Sequence, residues 1–431
     1  MDKLSLGKLI KQATSEKFLI FIDQALFSLF NFGSIFVLSK LASVSVFSDF
    51  VVFQSNIFFL YIFCTFFLSG PVLVLYAKKW ENDKAAYLKV LFWANIIINT
   101  TFSILFYLLI IKQGIDVSFY YVLGIPLTMS MFDLFKKYIF SSSKIKLYHA
   151  GVSSILLNSI FFLSVIIFEE DLSLSLILFL YLFSYLVANA YLIFIFTIKS
   201  VVGFDFLIPS FLKKDNFLEI LKHHYVYSRW IIFGGIAFWG YSQGLYIFSN
   251  ILNVSDFGIS KIRTIQNLLG IVTIFHITVE NFYTPYFSKF ILENSERDLH
   301  SLVLKLYKKN YGKVLAILTL VFVFAIVFYQ LLYVEKYGDA VFIILLYTLS
   351  QLILFMVRPL IISLKSIEVT HPFFIAHLAA VVVMLVFGYF LINKFEYYGI
   401  AYTFVASTFI FNCIVIYYYY QKVFKNHIIK N

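Results

Sequence analysis

Charge is scarce in this chain. Asp, Glu, Lys and Arg make up 13% of its 431 residues against 61% apolar residues, whereas soluble domains usually carry about a quarter charged residues. A soluble globule is therefore excluded. Cysteine is scarce too: Cys64 and Cys413 lie inside apolar runs without metal-ligand spacing and read as small core residues. Also missing are a phosphate-cradling Gly-rich loop, a His-Glu-x-x-His pair and a Gly-x-Ser-x-Gly elbow. Without these patterns no enzyme, no metal site and no cofactor is expected, and uphill work would draw on an ion gradient or on the substrate's own concentration difference. No segment between the apolar runs is long enough to fold as a soluble domain. The first run follows a lysine-dotted head and has no small-residue cleavage site, so it is expected to act as its own signal-anchor.

What the chain does have is length of apolar sequence. A membrane-spanning helix needs about 20 mostly apolar residues, and twelve such spans are expected, at 18–38, 47–76, 87–111, 119–135, 148–168, 173–198, 230–252, 258–287, 311–334, 340–362, 372–392 and 398–420. A polar connector, 199–228, separates two sets of six. The formal charge of +11 does not point to nucleic acid, because the cations sit in short loops and set orientation. Of 34 Lys and Arg residues, 28 fall on the side shared by the N-terminus, the connector and the tail, and Lys40, Lys112, Lys336 and Lys394 fall on the other. Both termini should therefore be cytoplasmic. The aromatic load of 21% mostly reflects interfacial belts and lipid-facing bulk.

The stretch 239–289 organises the second half. It holds two apolar spans split by Asn-Val-Ser-Asp-Phe-Gly, and a weaker copy lies near the N-terminus. Aligning Ser45-Val46-Phe47-Ser48 with Ser255-Asp256-Phe257-Gly258 puts each at the turn between the first two spans of a half and brings Pro71 near Pro285. The expected fold is thus an all-α polytopic membrane protein. About twelve transmembrane helices form two pseudo-symmetric six-helix lobes, 1–198 and 229–431, around a central cavity.

Charged groups inside spans are rare and mark candidate sites. Lys261 and Arg263 lie one turn into the eighth span, as snorkelling anchors or as cavity cations. Their spacing of two puts them on different faces, and Asn267, Gly270, Ile274 and Asn281 continue the face of Arg263. His276 and Glu280 are four apart and can touch, either as a proton-carrying pair or as a hydrogen-bonded pair at the interface. Asp23 and Gln24 lie at similar depth, with Asn31 nearer the middle. Asp133 precedes Lys136 and Lys137 by three and four residues and reads as a simple ion pair at a helix end. Arg358, before Pro359, contacts a headgroup or snorkels.

These residues carry a family resemblance. Asp23-Gln24-x-x-x-Ser28-x-x-Asn31, Phe47 to Phe53 and Gly70-Pro71 resemble the opening of bacterial polysaccharide-export proteins, the O-antigen flippase-like branch of the multidrug/oligosaccharidyl-lipid/polysaccharide exporter superfamily. Phe257-Gly258-x-x-Lys261-x-Arg263-x-x-Gln266-x-Leu268-Leu269-Gly270, Glu280-Asn281, Pro285 and Arg358-Pro359-Leu360 are similar to its later blocks. The chain departs from it at Ser48, where a glycine is common.

The resemblance implies two six-helix lobes in a V around a cationic cavity. Through it a polyprenyl-pyrophosphate-linked oligosaccharide would cross the bacterial inner membrane by alternating access, for O-antigen, capsule or another surface polysaccharide. Arg263, Lys261 and Lys40 would attract the pyrophosphate or an acidic sugar, and Asn31, Gln54, Gln266 and Asn267 would bind sugar hydroxyls. Arg358 is a further substrate contact, and Asp23, Glu280 and His276 are the ion-coupling candidates. The implied partners are the lipid-linked oligosaccharide, the bilayer, a polysaccharide polymerase and chain-length machinery. A multidrug exporter of the same superfamily is the alternative, and a membrane polysaccharide polymerase a more distant one.

Overall fold

The computed structural model describes residues 16–76, 80, 84–141, 145–199, 214–270, 272, 276, 283, 287, 290–291, 298–367, 369 and 371–425. Among these the chain is helical and contains no strand. It divides into two compact units, Met1–Ile232 and Phe233–Asn431.

The first unit is built from α1 (Glu16–Leu41), α2 (Val44–Cys64), α3 (Gly70–Leu75), α4 (Lys84–Lys112), α5 (Phe119–Ser141), α6 (Tyr148–Ile167), α7 (Leu174–Ile198) and the first part of α8 (Lys214–Ser242). The second contains the rest of α8, then α9 (Gly244–Ile251), α10 (Asp256–Leu269), α11 (Leu299–Leu332), the short α12 (Val334–Tyr337), α13 (Val341–Ser366), α14 (His371–Phe395) and α15 (Tyr397–Tyr419).

Among the described residues eight helices are long and apolar enough to cross a membrane, and α8 with α9 makes a ninth candidate, bent by 44°. Three further expected spans fall on α1, α5 and α10. Each carries charge within its apolar run: Asp23, then Asp133, Lys136 and Lys137, then Lys261 and Arg263. α10 covers the first part of that span and positions 272, 276, 283 and 287 are helical, while 271, 273–275, 277–282 and 284–286 lie outside the described residues. Twelve apolar segments are thereby all helical where they are described, and the chain is a multi-pass membrane protein.

Helix starts bear on how the expected repeat would be aligned. Ser43 caps α2, its hydroxyl accepting from the Val46 N–H, and Ser255 caps α10 by accepting from the Gly258 N–H. Such caps satisfy donors that the first turn leaves open and so mark the start of a helix. Superposing the caps pairs Ser43, not Ser45, with Ser255. The two-residue shift brings Ser48 onto Ser260, Gln54 onto Gln266, and Asn31 onto Gln243. Asn253, at φ 58°, makes the left-handed turn that leads α9 into α10, a conformation asparagine tolerates well. At Gly258 a Cβ would lie 2.7 Å from the Tyr397 Cβ, so glycine is what lets α10 meet the start of α15.

The connector also differs from expectation. Its part 200–213 lies outside the described residues, but from Lys214 onward it is helix rather than a polar linker, continuous with the following span. Ile220, His224 and Ser228 recur every fourth residue and are buried, while Lys222, Tyr225, Val226 and Arg229 face outward. This is the i, i+4, i+8 stripe of an amphipathic helix. Its fastening point depends on Pro71, which has no N–H to donate to the Phe67 carbonyl one helical turn back. The backbone widens there into a π turn, Thr65–Ser69. The His224 Nδ1–H donates to the Phe67 carbonyl at 2.9 Å, and the Tyr87 hydroxyl donates to Nε2 at 2.8 Å.

Candidate functional site

Arg263 stands at the break of the bent pair α8/α9. The helix interrupts at Gln243, and Arg263 Nη1 donates to the Gln243 side-chain oxygen at 3.1 Å and to that of Gln266 at 3.4 Å. The guanidinium carbon lies 5.3 Å from the centre of the Tyr246 ring, within cation–π range. The Tyr246 hydroxyl donates to the same Gln266 oxygen. Arg263 is 8% exposed and Lys261 3%.

The two cations diverge as their spacing requires. Lys261 Nζ donates to the Asp339 backbone carbonyl at 2.6 Å and lies 5.1 Å from the Tyr397 ring centre and 5.5 Å from that of Phe257. It ties α10 to the loop before α13. Asn267 is half-buried on the Arg263 side of α10.

In the first unit the polar residues gather around Asp23. Its carboxylate accepts from Lys136 Nζ at 2.8 Å and from the Ser154 hydroxyl at 2.7 Å, and Lys136 also donates to Ser154 at 3.1 Å. The ammonium lies 4.8 Å from the ring centre of Phe27 and 4.9 Å from that of Phe132. Asp23 is 0% and Lys136 4% exposed. Lys136 is thus a buried partner rather than a loop cation, and Asp133 is not simply its helix-end counterion. Asp133 instead accepts a hydrogen bond from Ser69 at the π turn. Helical phase explains the exchange: residues three apart on α5 point to neighbouring but distinct sectors, so Lys136 meets α1 and α6 while Asp133 meets the α2–α3 segment.

The other expected residues are more dispersed. Gln54 is buried, Lys40 is exposed in the last turn of α1, and Asn31 is half-buried with its Oδ1 enclosed and without a hydrogen-bond partner. His276 does not stand alone: Arg358 Nη2 approaches its Nδ1 at 3.4 Å, and the Phe355 ring packs edge-on against it at 5.5 Å. Glu280, its expected partner, lies outside the described residues. Sequence reasoning missed three polar neighbours: Lys136 as the partner of Asp23, Gln243 at the helix break, and His377 near Arg358. Only Gln243 left a local signal, an amide next to Gly244 inside an apolar run.

Comparison with known proteins adds the fold. No protein-family model matches the sequence, and no curated protein matches it. Solved structures do match over nearly the whole chain. An inward-facing multidrug resistance MATE family transporter of the MOP superfamily aligns with a TM-score of 0.74 at 11% identity, covering 93% of this chain and 95% of that one. A MOP superfamily transporter from Pyrococcus furiosus aligns at 0.60 and 12% identity, covering 95% and 94%. The lipid II flippase MurJ in an inward closed conformation aligns at 0.59 and 14% identity, covering 95% and 89%. The chain therefore has the fold of these transporters.

Proposed function

We propose that this protein is a flippase that moves a polyprenyl-pyrophosphate-linked oligosaccharide across the bacterial inner membrane by alternating access, with both termini in the cytoplasm. It would supply a surface polysaccharide such as O-antigen or capsule, alongside a polymerase and chain-length machinery. The observation that carries this reading is Arg263. A guanidinium buried in a membrane helix is costly and marks a functional site, and this one is aimed by two glutamines at the break of a helix, where transporter folds place their ligands.

In this reading Arg263 attracts the pyrophosphate or an acidic sugar, with Lys40 at the end of α1 as an outlying cation. Gln266, Asn267, Gln54 and Asn31 offer amide groups to sugar hydroxyls. Lys261, tied to the Asp339 carbonyl, holds α10 in place and contributes positive potential. Asp23, already neutralised by Lys136, is the ion-coupling candidate in the first unit, and Glu280 keeps that assignment from sequence. A multidrug exporter is the second reading, favoured by the TM-score of 0.74 to a multidrug resistance transporter.

Complementation separates the two. In cells lacking the native gene, Arg263→Ala expressed at normal level should lower surface polysaccharide about tenfold or more, the effect of losing one charge-assisted hydrogen bond in the rate-limiting complex. Arg263→Lys should restore part of it. Full surface polysaccharide with Arg263→Ala, together with export of cationic dyes from everted vesicles by the wild type, would establish the multidrug reading instead.

A further inference from the structure

The buried ion pair of the first unit has the make-up of a cation site that is already filled. Asp23 stands seven residues in from the start of α1, Lys136 five residues before the end of α5 and Ser154 six residues in from the start of α6. At 1.5 Å per residue each lies roughly 8–10 Å from one end of its helix. The three polar groups close a triangle: Asp23 Oδ1 is 2.8 Å from Lys136 Nζ and 2.7 Å from Ser154 Oγ, and Lys136 Nζ is 3.1 Å from Ser154 Oγ. An ammonium has only donors, so Ser154 turns a lone pair to Lys136 and its proton to Asp23. Two aromatic rings add to the shell, with the ammonium 4.8 Å from the ring centre of Phe27 and 4.9 Å from that of Phe132, both within cation–π range.

The walls of this shell are fastened independently of the two charges. Asn158, one turn beyond Ser154 on α6, donates from Nδ2 to the Leu26 carbonyl of α1 at 3.0 Å, which ties α1 to α6 beside the pair. Asp133, three residues before Lys136, accepts from Ser69 on another segment. The carboxylate that meets the ammonium is therefore that of Asp23. A carboxylate oxygen, a hydroxyl oxygen and two ring faces are together the surroundings that hold a small monovalent cation, and the ammonium sits among all four.

Competition decides whether an ion from solution can take its place. Asp23 and Lys136 are both buried, so the dehydration of the two charges is part of folding. An entering sodium ion would have to shed its own hydration shell and would leave the ammonium buried without its counter-ion, which is the unfavourable arrangement for a buried pair. The ammonium is also tethered, and a well-placed group on the chain acts at an effective concentration far above that of any free ion.

We propose that the Lys136 ammonium is a built-in cation: it fills a monovalent-cation site formed by Asp23, Ser154, Phe27 and Phe132, so that Asp23 takes up no sodium ion from solution. Asp23 is in this view the anchor of an internal cation rather than a carboxylate that couples transport to an external metal ion. The inference concerns the first unit alone and holds whatever molecule the protein transports, so its failure would leave the flippase reading untouched.

Thermal unfolding of the full-length protein in a neutral detergent tests it. The wild type should melt at the same temperature in sodium chloride and in choline chloride of equal ionic strength. Lys136→Ala removes from the side chain the atoms of a propylammonium ion and should melt below the wild type. Propylammonium chloride at about ten times its dissociation constant should then restore about 3–6 °C, where propanol restores nothing. Lys136→Met, whose uncharged stem occupies the same space, should not respond, and neither should Lys136→Ala combined with Asp23→Asn. Equal responses to propylammonium in Lys136→Ala and in that double variant would overturn the proposal. So would a wild type that melts higher in sodium than in choline and loses the difference in Asp23→Asn or Ser154→Ala, because a solute ion would then reach Asp23. This sodium series decides the question even if Lys136→Ala does not fold.

Discussion

Replacing Lys136 by methionine removes an ammonium 2.8 Å from the Asp23 carboxylate and leaves that carboxylate 0% exposed with Ser154 as a remaining donor. At an effective dielectric constant of about 20 the attraction between unit charges at that distance is about 6 kcal/mol. Desolvation of both ions offsets much of it, and the quantity that matters for the single variant is the cost of a stranded buried charge, about 3–5 kcal/mol. For a unit of this size about 1 kcal/mol shifts the melting temperature by some 2–4 °C, so Lys136→Met should melt roughly 6–20 °C lower. Asp23→Asn strands the lysine instead and should cost a similar amount. The double variant Asp23→Asn with Lys136→Met keeps neither charge of this pair. It should recover most of the loss, giving a coupling of at least about 2 kcal/mol in the cycle. Guanidinium or thermal unfolding of the four detergent-solubilised proteins measures this. Additive losses, with the double variant the least stable, would refute the direct pairing of the two charges.

Two further outcomes test how the helices are fastened. His224→Phe fills the same space but strands the Tyr87 hydroxyl and the Phe67 carbonyl, so it should destabilise by about 1–3 kcal/mol. Adding Tyr87→Phe should return part of that in unfolding experiments, because one stranded group is then gone. Gly258→Ala would push a Cβ to 2.7 Å from that of Tyr397 and should cost about 1–3 kcal/mol as overpacking; an unchanged unfolding midpoint would show that α10 and α15 separate without cost.

The residues differ in how openly they declare their neighbours. Lys261 and Arg263 are two apart on one helix, so their divergence can be read from helical phase, and they do meet different groups, the Asp339 carbonyl and Gln243. The caps show the limit of such local reading. Serines stand at 43, 45 and 255, and choosing between the first two needs the backbone that makes Ser43 the cap, which in turn moves Gln54 onto Gln266. The stripe Ile220, His224 and Ser228 has a helical period, but two of its three residues are polar and apolar Leu221 and Val226 lie between them, so hydrophobicity alone does not pick it out. Asp133 and Lys136 illustrate the opposite error: sequence nearness suggests an ion pair, and the fold sends them to different partners.

Composition and apolar run length alone determine that this chain is an all-helical, multi-pass membrane protein. Burying polar backbone in lipid leaves helices as the simplest solution for runs of this length, and that requirement does not depend on which helix packs on which. The pairing of Asp23 with Lys136, of His224 with Phe67 and Tyr87, and of Arg358 with His276 is decided only by the tertiary structure. Each joins residues far apart in the chain, and a side chain's partner across a helix interface depends on the register of two helices that no local pattern specifies.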